Sequence, residues 1–227
     1  MAISLRHKGK LRLGAVLTSI TLAAACGNDP LTRNPGLELV REIANNRSNE
    51  TQAPPSEELI AQALSETEGP LELVMREQNK AWVFMLKLEE NRGHETFGSA
   101  FRQTATMRNG ILTATRGFGG DLMSSDISGV MPFISGRKAG EGIRIMRIIG
   151  DEDKTRELRL SCKITPGKTM PVKSGAVNTT AQTVTENCQG EGYDITNTYV
   201  VDGNGRSLGA KQWVSPLNGY FLTQTLR

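Results

Sequence analysis

The sequence predicts a mainly β protein, one large curved antiparallel sheet forming a sandwich or partial barrel, preceded by two short N-terminal helices. Three observations predict it. Apolar residues recur at helical spacing before about residue 70 and alternate with polar ones after it. The alternating runs are separated by turn sequences such as Asn109-Gly110, "DGNG" at 202–205 and "PLNG" at 216–219. Tight turns between successive strands favour antiparallel pairing over crossover connections.

The elements follow in order. "LELVREIANNR" places Leu37, Val40, Arg41 and Ala44 at helical spacing, and "SEELIAQAL" begins with a Ser56 cap ahead of Leu59, Ile60, Ala63 and Leu64. "QAPP" divides these two helices. In "AWVFMLKLEE", Trp82, Phe84, Leu86 and Leu88 share one face and Val83, Met85, Lys87 and Glu89 the other, the pattern of a half-buried strand. "FGSAFRQTATMRNGILTATRG" is a hairpin about Asn109-Gly110, and "IRIMRIIGDEDKTRELRLSCKI" is a second about a charged turn. The stretch from Tyr193 to Leu226 supplies further strands, for seven to ten in all. One domain is expected over residues 37–227.

The N-terminus reads as an export signal. Arg6, Lys8, Lys10 and Arg12 precede the apolar run "LGAVLTSITLAAA", which is too short for the ~20 residues a membrane-crossing helix needs. Ala23, Ala24 and Ala25 then lead into Cys26, a pattern that resembles a bacterial lipobox. The expectation is a signal peptide over 1–25, a lipid carried on Cys26, and a Pro- and Gly-containing tether over 26–36. Gly27, where retained lipoproteins tend to carry Asp, points to the periplasmic face of the outer membrane. Several acyl chains anchor far more firmly than one.

Removing the leader takes away four of the 27 Lys and Arg residues, leaving a near balance with the 24 Asp and Glu. A nucleic-acid binder usually shows a basic stripe that displaces counterions from phosphates, so no nucleic-acid partner is expected. Cys162 and Cys188 remain for an oxidising compartment, where they pair most simply with each other. Leu158, Leu160 and Ile164 alternate around Cys162 and place it on the inward face of a strand. The only histidine after the leader is His94, in the loop-like "ENRGHETFG". Zinc needs three or four ligands at fixed spacing, so no metal or other cofactor is expected.

Enzyme signatures are sparse. Gly167-Lys168-Thr169 ends like a phosphate-binding loop, but position 162, where the pattern needs glycine, is Cys, and a surface turn is the expectation. "GRKAGEG" at 136–142 has no helix pattern behind it and is expected to be a flexible loop. A Ser-His-Asp triad would have to use His94. A pair of carboxylates leaves little sequence trace. Asp121 and Asp126 are the candidates by loop context, with a turn-stabilising Asp121 as the simpler reading.

The segment "LELVMREQNKAWVFMLKLEENRGHETFGSAFRQTATMRNGILTATRGFGGDLMSS" resembles the bacterial YjbF/GfcB lipoproteins. The likeness lies in the aromatic strand, the Arg108-Asn109-Gly110 turn, and Thr115-Arg116-Gly117 followed by Asp121-Leu122. "WVSPLNGYFLTQ" is similar to the closing hairpin of that family. The resemblance implies an envelope lipoprotein associated with production or export of exopolysaccharide or group 4 capsule, and it carries no catalytic residues. It implies polysaccharide-export proteins or the glycan itself as partners.

Glycan contact would use aromatic platforms and a guanidinium fork. Trp213 and Tyr220 flank the "SPLNG" turn, Tyr193 and Tyr199 lie nearby, and Arg116 with Asp121 could engage an acidic sugar. Cross-strand aromatic pairing and a strand-end charge are the plainer roles for these side chains. The sequence therefore points to a non-enzymatic accessory lipoprotein, and the alternative is a hydrolase or lyase working through a carboxylate pair.

Overall fold

A computed structural model describes residues 53–149 and 154–227. The signal peptide, Cys26, the tether and the first expected helix all lie outside the described residues. Ser56 accepts a hydrogen bond from the Leu59 amide and opens α1 (Glu57–Glu66), a side-chain cap that satisfies one otherwise unpaired N–H. Arg227 closes the other end, donating to the carbonyls of Leu64, Thr67 and Gly69. A cation is favourable at a helix C-terminus.

Twelve strands follow: β1 (Leu71–Arg76), β2 (Trp82–Asn91), β3 (His94–Gly98), β4 (Thr104–Arg108), β5 (Ile111–Arg116), β6 (Leu122–Asp126), β7 (Gly140–Ile149), β8 (Thr155–Ser174), β9 (Val177–Gly190), β10 (Tyr193–Asp202), β11 (Ser207–Ser215) and β12 (Gly219–Thr225). A short helix, α2 (Met131–Ser135), lies between β6 and β7. The strand order is β5-β4-β3-β2-β1-β12-β11-β10-β9-β8-β7-β6. Each strand pairs antiparallel with its chain neighbour except at β5–β6, and β1 pairs with β12. The sheet is thus a nearly closed up-and-down barrel with a seam at β5–β6, the expected mainly β, curved antiparallel fold with more than the seven to ten strands expected.

Two cores result. Val74, Met85, Phe97, Met107, Leu122 and Phe221 fill the barrel interior. Leu71, Leu73, Phe84 and Leu86 face outward, and α1 covers them with Leu59 and Ala63. β2 is therefore buried on both faces over Phe84–Leu86 rather than half-buried, because the amphipathic helix lies on its outer side. The barrel is flattened: the Gln212 amide of β11 reaches across to the Leu112 backbone, accepting from its N–H at 2.8 Å.

The Asn109-Gly110 turn forms as expected, with both residues at positive φ. A Cβ on Gly110 would collide with the Ser207 carbonyl, so glycine is required twice over. Three further expectations need correction. "GRKAGEG" is not all loop: Gly140–Gly142 belong to β7 and pair with Ile164–Cys162. A side chain at Gly140 would strike the Phe133 ring and one at Gly142 the Gly129 carbonyl, so the α2 segment can lie on this strand only because it is glycine. "TPGKT" sits inside the long β8 as a register shift between Pro166 and Thr169. His94 starts β3, half-buried, with Nδ1 3.3 Å from the Thr113 hydroxyl.

Candidate functional site

Alternation in β7 places Arg144 on the same face as Met146 and Ile148, inside the barrel. Alternation in β9 does the same for Glu186, between Val184 and Cys188. The two meet as a two-point pair, Nε to Oε1 and Nη2 to Oε2, both at 3.0 Å. Tyr199 donates its hydroxyl to Glu186 at 2.7 Å and accepts from Arg144 at 2.9 Å. Asn197 donates to Glu186 and accepts from the Trp213 amide, while Ser125 accepts from Arg144. Burial opposes the charge on Arg144, and Glu186 and Tyr199 more than offset it, so the guanidinium is held above its ordinary value. Burial is also the main reason that the Tyr199 phenol is pushed well up, which keeps it protonated as a donor. The network ties β6, β7, β9, β10 and β11 together.

Beside it, Cys162 and Cys188 are directly opposed across β8 and β9 and form the expected disulfide. Their sulfurs and the Glu186 carboxylate lie within 4.8 Å of one another. A bridged cystine offers no thiolate, so this trio is a cross-link next to an ion pair rather than a set of metal ligands.

A second charged cluster occupies the Glu72 side of the barrel. Glu72, 2% exposed, accepts from the Thr225 hydroxyl at 2.8 Å and lies 3.7 Å from Arg206. Arg206 also pairs with Glu95, which pairs in turn with Lys87. Burial raises the Glu72 carboxyl from 4.5 to about 7, against the pull of Thr225 and Arg206. Burial pushes Glu95 up too, but its hydrogen bonds from Arg206 and Lys87 outweigh that and hold it below 4.5.

Arg116 and Asp121 come together at the β5–β6 seam. Asp121 accepts from the Thr115 hydroxyl and from the amides of Gly117 and Phe118, and Thr115 accepts in turn from the Leu122 amide. Arg116 donates across the gap to the carbonyls of Leu122 and Met123, each at 3.1 Å. Side chains thus supply the bonds that strand pairing would make elsewhere. Asp126 is apart from this group, exposed, accepting from the Ser128 amide; hydrogen bonding to Ser128 is the chief reason that it lies below its ordinary value.

The aromatic candidates do not form one exposed platform. Trp213 is 9% exposed and packs its ring 5.2 Å from Tyr193. Tyr220 stands opposite Trp213 in register, half-buried, accepting from the Thr196 amide with Lys211 over its ring. Tyr199 belongs to the interior network.

On the outside of β10, β11, β12 and β1 lies an apolar groove of about 460 Å³. The far end of β8, Met170–Ser174, passes over it, while Leu73, Val200, Leu208 and Leu222 contribute to its lining. Among the described residues no Asp, Glu, His or Cys lines it.

The chain matches, over residues 44–226, the family described as group 4 capsule polysaccharide lipoprotein gfcB, YjbF. It belongs to the YjbF family. Among solved structures it is similar to the hypothetical lipoprotein YmcC from Escherichia coli K12, at 14% identity with a TM-score of 0.66, covering 75% of this chain and 90% of that one. No curated protein matches it. Among the described residues no helix is long and apolar enough to cross a membrane.

Within this YjbF-family chain, sequence reasoning missed Arg144, Glu186 and Glu72. The available signal was phase: Arg144 keeps step with Met146 and Ile148, and Glu186 with Val184 and Cys188. An ionisable residue in phase with core positions marks a buried pair when a second of opposite charge does the same.

Proposed function

We propose that this chain is an outer-membrane-anchored lipoprotein that serves exopolysaccharide or capsule production and export as a non-enzymatic accessory, through assembly or glycan contact. Membership of a capsule-lipoprotein family supports the process. The observation that carries the non-enzymatic part is the lining of the outer groove, in which the described residues include no acid, histidine or cysteine. Asp121 has its two oxygens committed to the seam, and Asp126 caps its own turn. Tyr220 and Lys211, half-buried side by side, are the side chains best placed for sugar contact.

A second reading, a hydrolase or lyase, is favoured by one feature. Glu72 and Glu95 are two carboxylates pushed apart in titration and linked through Arg206, and such splitting is how acid and base roles are assigned. Gene deletion followed by rescue with Glu72→Gln plus Glu95→Gln separates the two. An accessory role predicts full recovery of polysaccharide at normal protein levels; loss of rescue by a normally accumulating variant supports the enzyme.

A further inference from the structure

The β8–β9 hairpin is longer than the barrel needs. β7 pairs with β8 only as far as Ile164, and the hairpin continues to Ser174 and Val177. Its far end is tied down on β12 and the chain terminus. The Ser174 hydroxyl donates to the Thr225 carbonyl at 3.0 Å, Gln224 donates to that hydroxyl at 2.7 Å, and the Ala176 amide donates to the Leu226 carbonyl at 2.8 Å. Residues 170–174 therefore form a strap fastened at both ends across the outer wall of the barrel.

Protein interiors close-pack, and an apolar layer laid over a sheet as mere cover leaves few voids larger than a water molecule. Here, among the described residues, about 460 Å³ stays open beneath the strap, within the ~300–1,000 Å³ range of small-molecule sites. The floor is Leu73, Val200, Leu208 and Leu222, the roof is Met170 and Val172, and Met170 remains 43% exposed. Two cations, Lys173 and Lys211, line the same groove without an acid among the lining residues. Lys211 pairs with Glu77 outside the groove, whereas Lys173 is exposed with no ion pair among the described residues.

This chemistry discriminates between occupants. A sugar needs hydrogen-bonding side chains and aromatic faces, and among the described residues no aromatic lines the groove. Strand addition from another protein would use the free edge of Thr165–Ser174, but that edge carries Pro166 and Pro171, which lack an N–H, together with Lys168 and Lys173; proline and lysine guard an edge against pairing. An aliphatic chain ending in a negative head matches both the apolar length and the lysines. We propose that the strapped groove is a lipid site, holding the acyl chain of an anionic amphiphile between the strap and the sheet with its head at Lys173 and Lys211. The site holds whether or not the chain also touches a glycan.

The test uses the whole chain carrying Cys26→Ser, which has no acyl group of its own, and cis-parinaric acid as a fluorescent fatty-acid probe. Saturable binding of one probe per chain is expected, weakened at least about tenfold by Met170→Asp, which puts a charge against the bound chain. Lys173→Glu should weaken the acid several-fold and leave the methyl ester of the same probe unchanged. Leu217→Asp, at an exposed leucine of the β11–β12 turn, should bind as before. Binding without saturation, equal loss in Leu217→Asp, or unchanged binding in folded Met170→Asp and Lys173→Glu would overturn the proposal. So would sedimentation showing self-association that Met170→Asp abolishes, since a second copy would then be the occupant.

Discussion

Arg144 and Glu186, with 1% and 0% of their side chains exposed, face each other inside the barrel as a two-point ion pair. Each satisfies the other together with Tyr199, Asn197 and Ser125. Removing one partner leaves an uncompensated buried charge, whereas removing both leaves an apolar fill. Arg144→Met should therefore cost about 3–5 kcal/mol in urea unfolding, and Arg144→Met with Glu186→Leu should recover much of it. Additive losses would mean that the two side chains act separately.

Glu72 gives stability a pH dependence with a definite sign. Its carboxyl titrates near 7 in the folded chain against 4.5 ordinarily, so between those values the unfolded chain binds fewer protons. Stability is then full below about 4.5 and falls as pH rises through 7, by about 3 kcal/mol in all. Glu95, shifted the other way, acts below that window. Glu72→Gln should flatten the slope between pH 5 and 7 in denaturant titrations, and an unchanged slope would place the effect elsewhere.

The β5–β6 seam is expected to open first. Asp121 is 7% exposed and collects three donors at the β5–β6 gap, so Asp121→Ala leaves them unpaired at about 1–3 kcal/mol. Hydrogen exchange should quicken in β5 and β6 before the β8–β9 pair. Arg116→Ala, an exposed residue that bridges the same gap to Leu122 and Met123, should show the same pattern more weakly. Uniform acceleration over all strands would contradict a local seam.

Cys26→Ser tests the anchor. The basic start, the thirteen-residue apolar run and "AAAC" predict that the variant leaves the membrane fraction. A variant that still floats wholly with outer membranes would show that lipid on Cys26 is not the attachment.

Local signals in the sequence carried most of the fold. The Asn109-Gly110 turn, the strand from Trp82 to Leu88, the Ser56 cap and the inward phase of Cys162 are each decided within a few residues, and each forms as expected. What stayed hidden is non-local. Closure of β1 on β12 joins Glu72 to Thr225, and α2 is too short for a periodic pattern. In β7 the isoleucine lies outside and the arginine inside: Ile143 is 36% exposed and Arg144 1%, because the groups that accept Arg144 arrive 42 and 55 residues later. The glycan candidates were chosen by residue type, and type alone does not reveal that Trp213 is packed or that Arg116 and Asp121 meet across a seam.

Most directly, purified protein can be incubated with the polysaccharide of its own cell and the glycan sized by chromatography before and after. An accessory lipoprotein leaves the size distribution unchanged at every protein concentration, while deletion of its gene lowers the amount of polysaccharide exported. Shortening of the glycan by the wild type, abolished by Glu72→Gln in a folded variant, would contradict the account.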